Sequence, residues 1–106
     1  MQERYALSPH RRSYERYSVD GQATLRNGRN SGQGAILKDL SVRGAGIVSS
    51  CALDINAEIG IIMQAPLFFE NPVSRRAKVI WCRRIDMRLW QGGLEFGIDD
   101  KISFGG

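Results

Sequence analysis

The sequence predicts an all-β domain, which we interpret as a small antiparallel barrel or sandwich. Two observations carry this prediction. About six short apolar segments alternate with turn residues at nearly regular spacing, and no segment keeps a helical period. A chain of 106 residues forms one domain around a single modest core. We divide it into a flexible N-terminal lead-in over residues 1–10 and a barrel domain over residues 11–106.

The first three strands are predicted from alternation and from the turns between them. Segment 17–26 alternates loosely between apolar and polar residues. A cluster of glycine, asparagine and serine over 27–34 then indicates a hairpin loop. Since no lysine–serine or lysine–threonine pair follows these glycines, the loop is not a Walker-type phosphate loop. Segments 35–42 and 44–50 are two apolar strands that hinge at the Arg-Gly step between them.

The last three strands follow the same logic. Segment 58–65 is a short apolar strand that Pro66 ends. Segment 74–84 alternates well, which places Trp81 on the same face as the small apolar residues before it and therefore in the core. Segment 92–99 is a final strand whose alternate residues are large and apolar.

The charge distribution indicates an anionic partner. The net charge is +4, and the region from 75 to 88 holds six basic residues against one acid. Such a patch raises the local concentration of nucleotides, nucleic acid or lipid headgroups, although a solvated strand face would have the same pattern. The apolar stretches are too short for a transmembrane helix, and the N-terminus lacks the apolar region of a secretory signal, so no membrane span is expected.

Cysteine and histidine usage argues against a disulfide scaffold and against catalysis. We expect Cys51 and Cys82 to be buried, reduced thiols of a cytoplasmic protein. The only histidine is His10, so a histidine-based triad has a single candidate, and no close pair of zinc ligands exists. Asp99 and Asp100 are expected to be solvated turn residues. The sequence therefore predicts no enzyme, no metal site and no cofactor.

An arginine cluster precedes the first strand. The stretch "HRRSYER" contains Arg11, Arg12 and Arg16, the last two in the spacing Arg-x-x-x-Arg. A guanidinium presents fixed donors that match a phosphate or the O6/N7 edge of guanine, and it also stacks on a base. Three such groups on a flexible arm could wrap an anionic ligand.

A second polar motif interrupts an apolar run. The stretch "DLSVRG" contains Asp39, Ser41 and Gly44 in the spacing Asp-x-Ser-x-x-Gly. A carboxylate only accepts hydrogen bonds, so it suits the N–H donors of a guanine Watson–Crick edge. On a strand, Asp39 and Ser41 would point outward together if Leu40 and Val42 point inward. We interpret the two motifs as halves of one anion-binding site.

From Arg11 onward the chain resembles the PilZ family of cyclic di-GMP receptors. The resemblance rests on "RRSYER", "DLSVRGAGI", "AKVIWC" and "GGLEFG", and both ligand motifs are complete. It implies a six-stranded antiparallel β-barrel with a flexible N-terminal arm that folds over cyclic di-GMP on the outer surface. The residues that match the ligand-binding motifs of the family are Arg11, Arg12, Arg16, Asp39, Ser41 and Gly44.

The resemblance implies a bacterial, cytoplasmic, non-enzymatic receptor that couples the level of a second messenger to a conformational change. Many PilZ domains carry a helix after the last strand, whereas this sequence ends at "KISFGG". Either that helix is dispensable or the domain is cut from a longer protein. We expect a protein partner or a fused effector domain, and motility, pilus assembly and exopolysaccharide synthesis all stay open.

Two other functions remain alternatives at this point. One is a PilZ-like adaptor that binds a protein without any ligand, although complete motifs count against it. The other is a basic β-barrel that binds single-stranded nucleic acid. That function favours aromatic residues spread along an exposed strand, whereas the aromatics here lie at core-like positions, so no nucleic acid partner is expected.

Overall fold

The computed structural model describes residues 15–27 and 32–97, which form a closed barrel of six antiparallel strands. The strands are β1 (Tyr17–Arg26), β2 (Gln33–Leu40), β3 (Gly44–Ser49), β4 (Glu58–Gln64), β5 (Val73–Asp86) and β6 (Leu89–Phe96). Around the barrel they follow the order β1-β2-β3-β6-β5-β4. The prediction of an all-β, six-stranded antiparallel barrel is confirmed.

Alternation along each strand fills the barrel with apolar side chains. In β4, for example, Ile59, Ile61 and Met63 are buried while their neighbours are half-buried or exposed. The largest fully buried apolar side chains are Phe96, Leu37, Leu40, Ile47, Ile61, Met63, Leu94 and Val79. Within the described ranges, no helix is long and apolar enough to cross a membrane.

Two hairpins are longer than the sequence predicted. Gln33 and Gly34, expected in a loop, belong to β2 and pair with Leu25 and Thr24 of β1. The hairpin of β5 and β6 extends until Asp86 pairs with Leu89. Cross-strand hydrogen bonds therefore continue into segments whose glycine or charge content suggested turns.

Trp81 lies on the outside of the barrel, so its prediction as a core residue is wrong. The register between β5 and β6 shifts between Val79, which pairs with Leu94, and Trp81, which pairs with Gly93. This β-bulge inserts one residue into β5 and reverses the facing of the positions that follow. Trp81 is consequently 39% exposed, whereas Val79 is fully buried.

The two cysteines are free thiols, but neither is buried as predicted. Cys51 is exposed because it follows the end of β3. There its amide donates to the Ser49 hydroxyl (3.1 Å), and that hydroxyl donates to the Cys51 carbonyl (2.9 Å). Cys82 is half-buried because it lies in the part of β5 beyond Lys78, where the pairing with β4 ends.

Candidate functional site

The two polar motifs meet at an ion pair on the outer surface of the barrel. Arg16 precedes β1, and Asp39 lies near the end of β2, where it pairs with Ser18. The Arg16 Nη1 donates to the Asp39 Oδ1, and the two side chains are 36% and 34% exposed. Antiparallel pairing of β1 with β2 thus joins groups that are 23 residues apart in the sequence. Arg11 and Arg12 lie outside the described residues.

Ser41 does not point outward beside Asp39, which corrects that part of the prediction. β2 ends at Leu40, and the chain turns immediately. The Ser41 amide donates to the Gly44 carbonyl (2.9 Å), and the Ser41 hydroxyl accepts from the Arg43 amide (3.3 Å). Ser41 is therefore only 3% exposed and closes the turn between β2 and β3.

Gly44 is buried where β3 begins beside β6. A Cβ at this position would collide with the Leu94 carbonyl oxygen of the neighbouring strand. Glycine at position 44 therefore lets β3 approach β6 closely. Ser41 and Gly44 shape the turn, while Asp39 carries the charge that the motif presents to solvent.

Beside Asp39 the outer surface has a shelf made of backbone, which we call the glycine shelf and define as Gly46 and Gly93. Across the sheet, Asp39 pairs with Gly46, Gly46 with Gly93, and Gly93 with Trp81. The Asp39 carboxylate lies over Gly46, since a Cβ there would be 2.5 Å from its Oδ2. Three strand spacings of about 4.8 Å separate Asp39 from Trp81, roughly 14 Å in all.

The indole of Trp81 lies over the far side of the glycine shelf. A Cβ at Gly93 would collide with the Nε1, Cε2 and Cδ1 atoms of this ring. The row therefore carries a carboxylate over Gly46 and an aromatic ring over the neighbouring Gly93, which brings these two groups side by side on the outer surface. Sequence reasoning missed Trp81 as a site residue, although glycine within a strand is a signal of close approach by another group.

Tyr17 borders the Asp39 end of this row, because it pairs with Leu40. Its hydroxyl donates to the Glu15 Oε1 (3.1 Å). That hydrogen bond and the negative charge of Glu15 raise the pKa of the Tyr17 phenol above its ordinary value of 10.0. The Tyr17 ring also contacts Phe68 at a centroid distance of 6.1 Å. The phenol therefore stays neutral near neutral pH.

The surface presents groups that suit an aromatic base and an anion. Asp39 accepts from N–H donors, Arg16 donates to anionic oxygens, and the Trp81 indole offers an aromatic surface on which a base can stack. Within residues 15–27 and 32–97, no three metal-ligating side chains of histidine, cysteine, aspartate or glutamate form a cluster. The chemistry that this arrangement supports is recognition of a ligand.

The sequence pattern of the PilZ domain matches residues 10–103. The chain belongs to the PilZ family. This assignment agrees with the closed barrel and with the two motifs that meet on its outer surface. No curated protein sequence matches the chain significantly.

Several solved structures share the fold of this PilZ domain. The PilZ domain of YcgR from Escherichia coli with c-di-GMP has a TM-score of 0.63 at 20% identity, covering 81% of this chain and 77% of that one. YcgR from the same organism in complex with c-di-GMP has a TM-score of 0.68 at 20% identity, covering 83% of this chain and 38% of that one.

A third similar structure is the inhibitor of motility MotI/DgrA from Bacillus subtilis. Its TM-score is 0.66 at 12% identity, and the match covers 82% of this chain and 43% of that one. The PilZ domain described here thus spans less than half of MotI/DgrA and of the longer YcgR structure. The shared part is the barrel.

Proposed function

We propose that this PilZ domain is a non-enzymatic receptor for cyclic di-GMP. The observation that carries the proposal is the pairing of Arg16 with Asp39, which joins one residue of each ligand motif on the barrel surface. Membership of the PilZ family and the c-di-GMP-bound structures of YcgR support the same ligand. The ligand is a nucleotide messenger, and the proposed receptor acts in the cytoplasm.

Charge and hydrogen-bonding capacity determine the proposed roles. Asp39 accepts from the N1–H and exocyclic amino group of one guanine, which an acceptor-only carboxylate suits. Arg16 then turns from Asp39 toward a phosphate or the O6/N7 edge, together with Arg11 and Arg12. Ser41 and Gly44 hold the turn that follows Asp39, and in this proposal they also border the ligand.

The glycine shelf lets two side chains of the proposed site lie against the backbone. The Asp39 carboxylate covers Gly46 and the Trp81 indole covers Gly93, so a base held by Asp39 can stack on the indole. Contact with an aromatic ring adds about 1–3 kcal/mol per base. The shelf therefore adds an aromatic contact to the polar contacts made by the two motifs.

Ligand binding in this proposal replaces the ion pair between Arg16 and Asp39 with contacts from each residue to the ligand. In the free protein Arg16 and Asp39 satisfy each other. When a guanine binds Asp39 and a phosphate binds Arg16, the ion pair opens, and in this proposal the chain before β1 moves with the guanidinium. The segment that contains the arginine motif thereby changes position, and a protein partner or an effector domain reads that change.

Calorimetric titration of the purified chain tests this function. We expect cyclic di-GMP to bind with a Kd of about 1 μM or tighter, near −8 kcal/mol. Cyclic di-AMP should bind far more weakly, because adenine offers Asp39 no N1–H donor and leaves a desolvated carboxylate unpaired. Excess single-stranded oligonucleotide should not displace cyclic di-GMP. Equal affinity for the two dinucleotides, or displacement by the oligonucleotide, would contradict the proposal.

A further inference from the structure

The hairpin of β5 and β6 projects beyond the barrel at the end away from Asp39. Pairing of β4 with β5 stops at Lys78, and pairing of β3 with β6 starts at Trp90. Residues 85–89 therefore extend past both neighbouring strands. We call residues 83–90 the hairpin tip.

Three apolar side chains occupy the outermost part of the hairpin tip. Met87 is 78% exposed, and Ile85 and Leu89 are 46% and 37% exposed. Exposed apolar residues that stand singly on a surface are ordinary, whereas these three lie within five residues of one projecting turn.

Hydrogen bonds hold this turn in one shape. The Arg84 Nε donates to the Asp86 carbonyl (3.1 Å), and its Nη2 donates to the Met87 carbonyl (2.6 Å). The Asp86 Oδ1 accepts from the Arg88 amide (3.2 Å). The Arg84 guanidinium also lies 5.4 Å from the centre of the Trp90 ring. The apolar residues are thus presented on an ordered support, which reduces the entropy lost on binding.

Positive charge lies just behind the apolar turn. Arg83, Arg84 and Arg88 belong to the hairpin tip, and Asp86 is its single acid. The guanidinium of Arg83 is held beside β6 by two bonds to the Gln91 Oε1, at 3.3 and 3.1 Å. From the barrel outward, Arg83 and Arg84 therefore come before the apolar residues, while Arg88 lies beside Met87 in the turn itself.

This order matches an anionic membrane surface better than it matches a nucleic acid or a second copy of the chain. A bilayer presents phosphates first and hydrocarbon below them, and arginine can reach back to the phosphates from a deeper position. Nucleic acid would favour free aromatic faces, whereas Arg84 covers Trp90. A two-fold pairing of β5 edges centred on Arg83 would bring like charges together.

We infer that the hairpin tip is a docking site for membranes that contain anionic lipid. Met87, Ile85 and Leu89 enter the boundary between headgroups and acyl chains, while Arg83 and Arg88 contact lipid phosphates. The protein then binds at the membrane surface and does not span the bilayer. Apolar burial and attraction to anionic lipid act together, as they do for interfacial helices. The inference does not rest on the proposed dinucleotide site, although the hairpin tip begins two residues after Trp81 at the edge of that site.

Sedimentation of the full chain with lipid vesicles tests the inference. The protein should sediment with vesicles of phosphatidylcholine and phosphatidylserine, and it should stay in solution with phosphatidylcholine alone. Met87→Glu should lower the partition coefficient roughly tenfold or more, because it puts a charge at the deepest position. Arg83→Gln and Arg88→Gln should each lower it about fivefold, as expected for the loss of one basic contact.

Leu67→Glu is the matched control, because Leu67 is 95% exposed in the loop between β4 and β5, near the opposite end of the barrel. It introduces the same charge change as Met87→Glu but should bind vesicles nearly as the unaltered chain does, since salt screens a charge that lies far from the tip. All variants should keep the thermal melting curve of the unaltered chain. The inference is overturned if the unaltered chain does not sediment with anionic vesicles, if it binds both lipids equally, or if Met87→Glu is no weaker than Leu67→Glu.

Discussion

Gly46→Ala should separate ligand binding from folding. The new Cβ would lie 2.5 Å from the Asp39 Oδ2 and 2.9 Å from both the Cγ and the Oδ1. These distances are too short for a real contact, so something must move. The Asp39 side chain is one-third exposed and can rotate, whereas the backbone of β3 is paired on both sides. We therefore expect the carboxylate to leave its place over the shelf.

The size of the effect follows from the contacts that the rotation removes. A hydrogen bond to a charged group contributes about 1.5–3 kcal/mol, so affinity for cyclic di-GMP should fall roughly 10- to 150-fold. Stability should change by less than about 1 kcal/mol. The loss of an exposed ion pair, about 0.2–1 kcal/mol, is offset by the gain of about 0.5–1 kcal/mol when alanine replaces glycine within a strand.

Calorimetry and thermal melting measure the two quantities on the same sample. Gly34→Ala is the matched control, because this residue also lies in a strand but its Cβ would meet nothing within 4 Å. It should leave the affinity unchanged and raise the melting temperature slightly. Affinity in Gly46→Ala equal to that in Gly34→Ala would refute the placement of Asp39 in the site, whereas unfolding of Gly46→Ala would refute the expected rotation of the Asp39 side chain.

Three other predictions address the ends of the site. Arg16→Ala should weaken cyclic di-GMP binding by roughly 1.5–3 kcal/mol with little change in melting temperature. Arg84→Ala should alter affinity slightly and only at low salt. A larger loss of affinity in Arg84→Ala than in Arg16→Ala, measured by calorimetry, would move the site to the hairpin tip. Trp81→Ala should cost about 1–3 kcal/mol of binding, and unchanged affinity would remove the indole from the site. The Tyr17 phenol should titrate above pH 10 by NMR and return toward 10.0 in Glu15→Gln. Because the pKa of this phenol is raised in the folded state, its contribution to folding stability is present below about pH 10 and is lost as the pH rises through the folded pKa. Identical titration of Tyr17 in the unaltered chain and in Glu15→Gln would exclude the bond to Glu15.

Local patterns predicted the strands well, because alternation reports directly which face of a strand is buried. The segment 17–26 matches β1 residue for residue. The charges of Arg16 and Asp39 also predicted a shared site, since a guanidinium and a carboxylate complement the same ligand. The structure adds their direct contact, which depends on the antiparallel pairing of β1 with β2.

Non-local pairing limited the rest of the prediction. The outward facing of Trp81 depends on a bulge in β5 opposite Gly93, a residue on another strand. The burial of Ser41 depends on where β2 ends, because its hydroxyl accepts a hydrogen bond within the turn that follows the strand. Periodicity within one segment reveals neither a bulge nor the point where strand pairing stops. The sequence therefore predicts the wrong facing for the Trp81 and Ser41 side chains.

The contact between Arg16 and Asp39 also bears on how the receptor responds to ionic strength. Added salt weakens the attraction of arginines for phosphates and would normally lower the affinity for a dinucleotide. The same salt weakens the internal pair, which the ligand must open before it reaches either group. Since the two effects oppose each other, affinity should fall less steeply with salt than the number of arginines suggests. A change in the ion concentration of the cell would then alter the response to the messenger less than the number of arginines suggests.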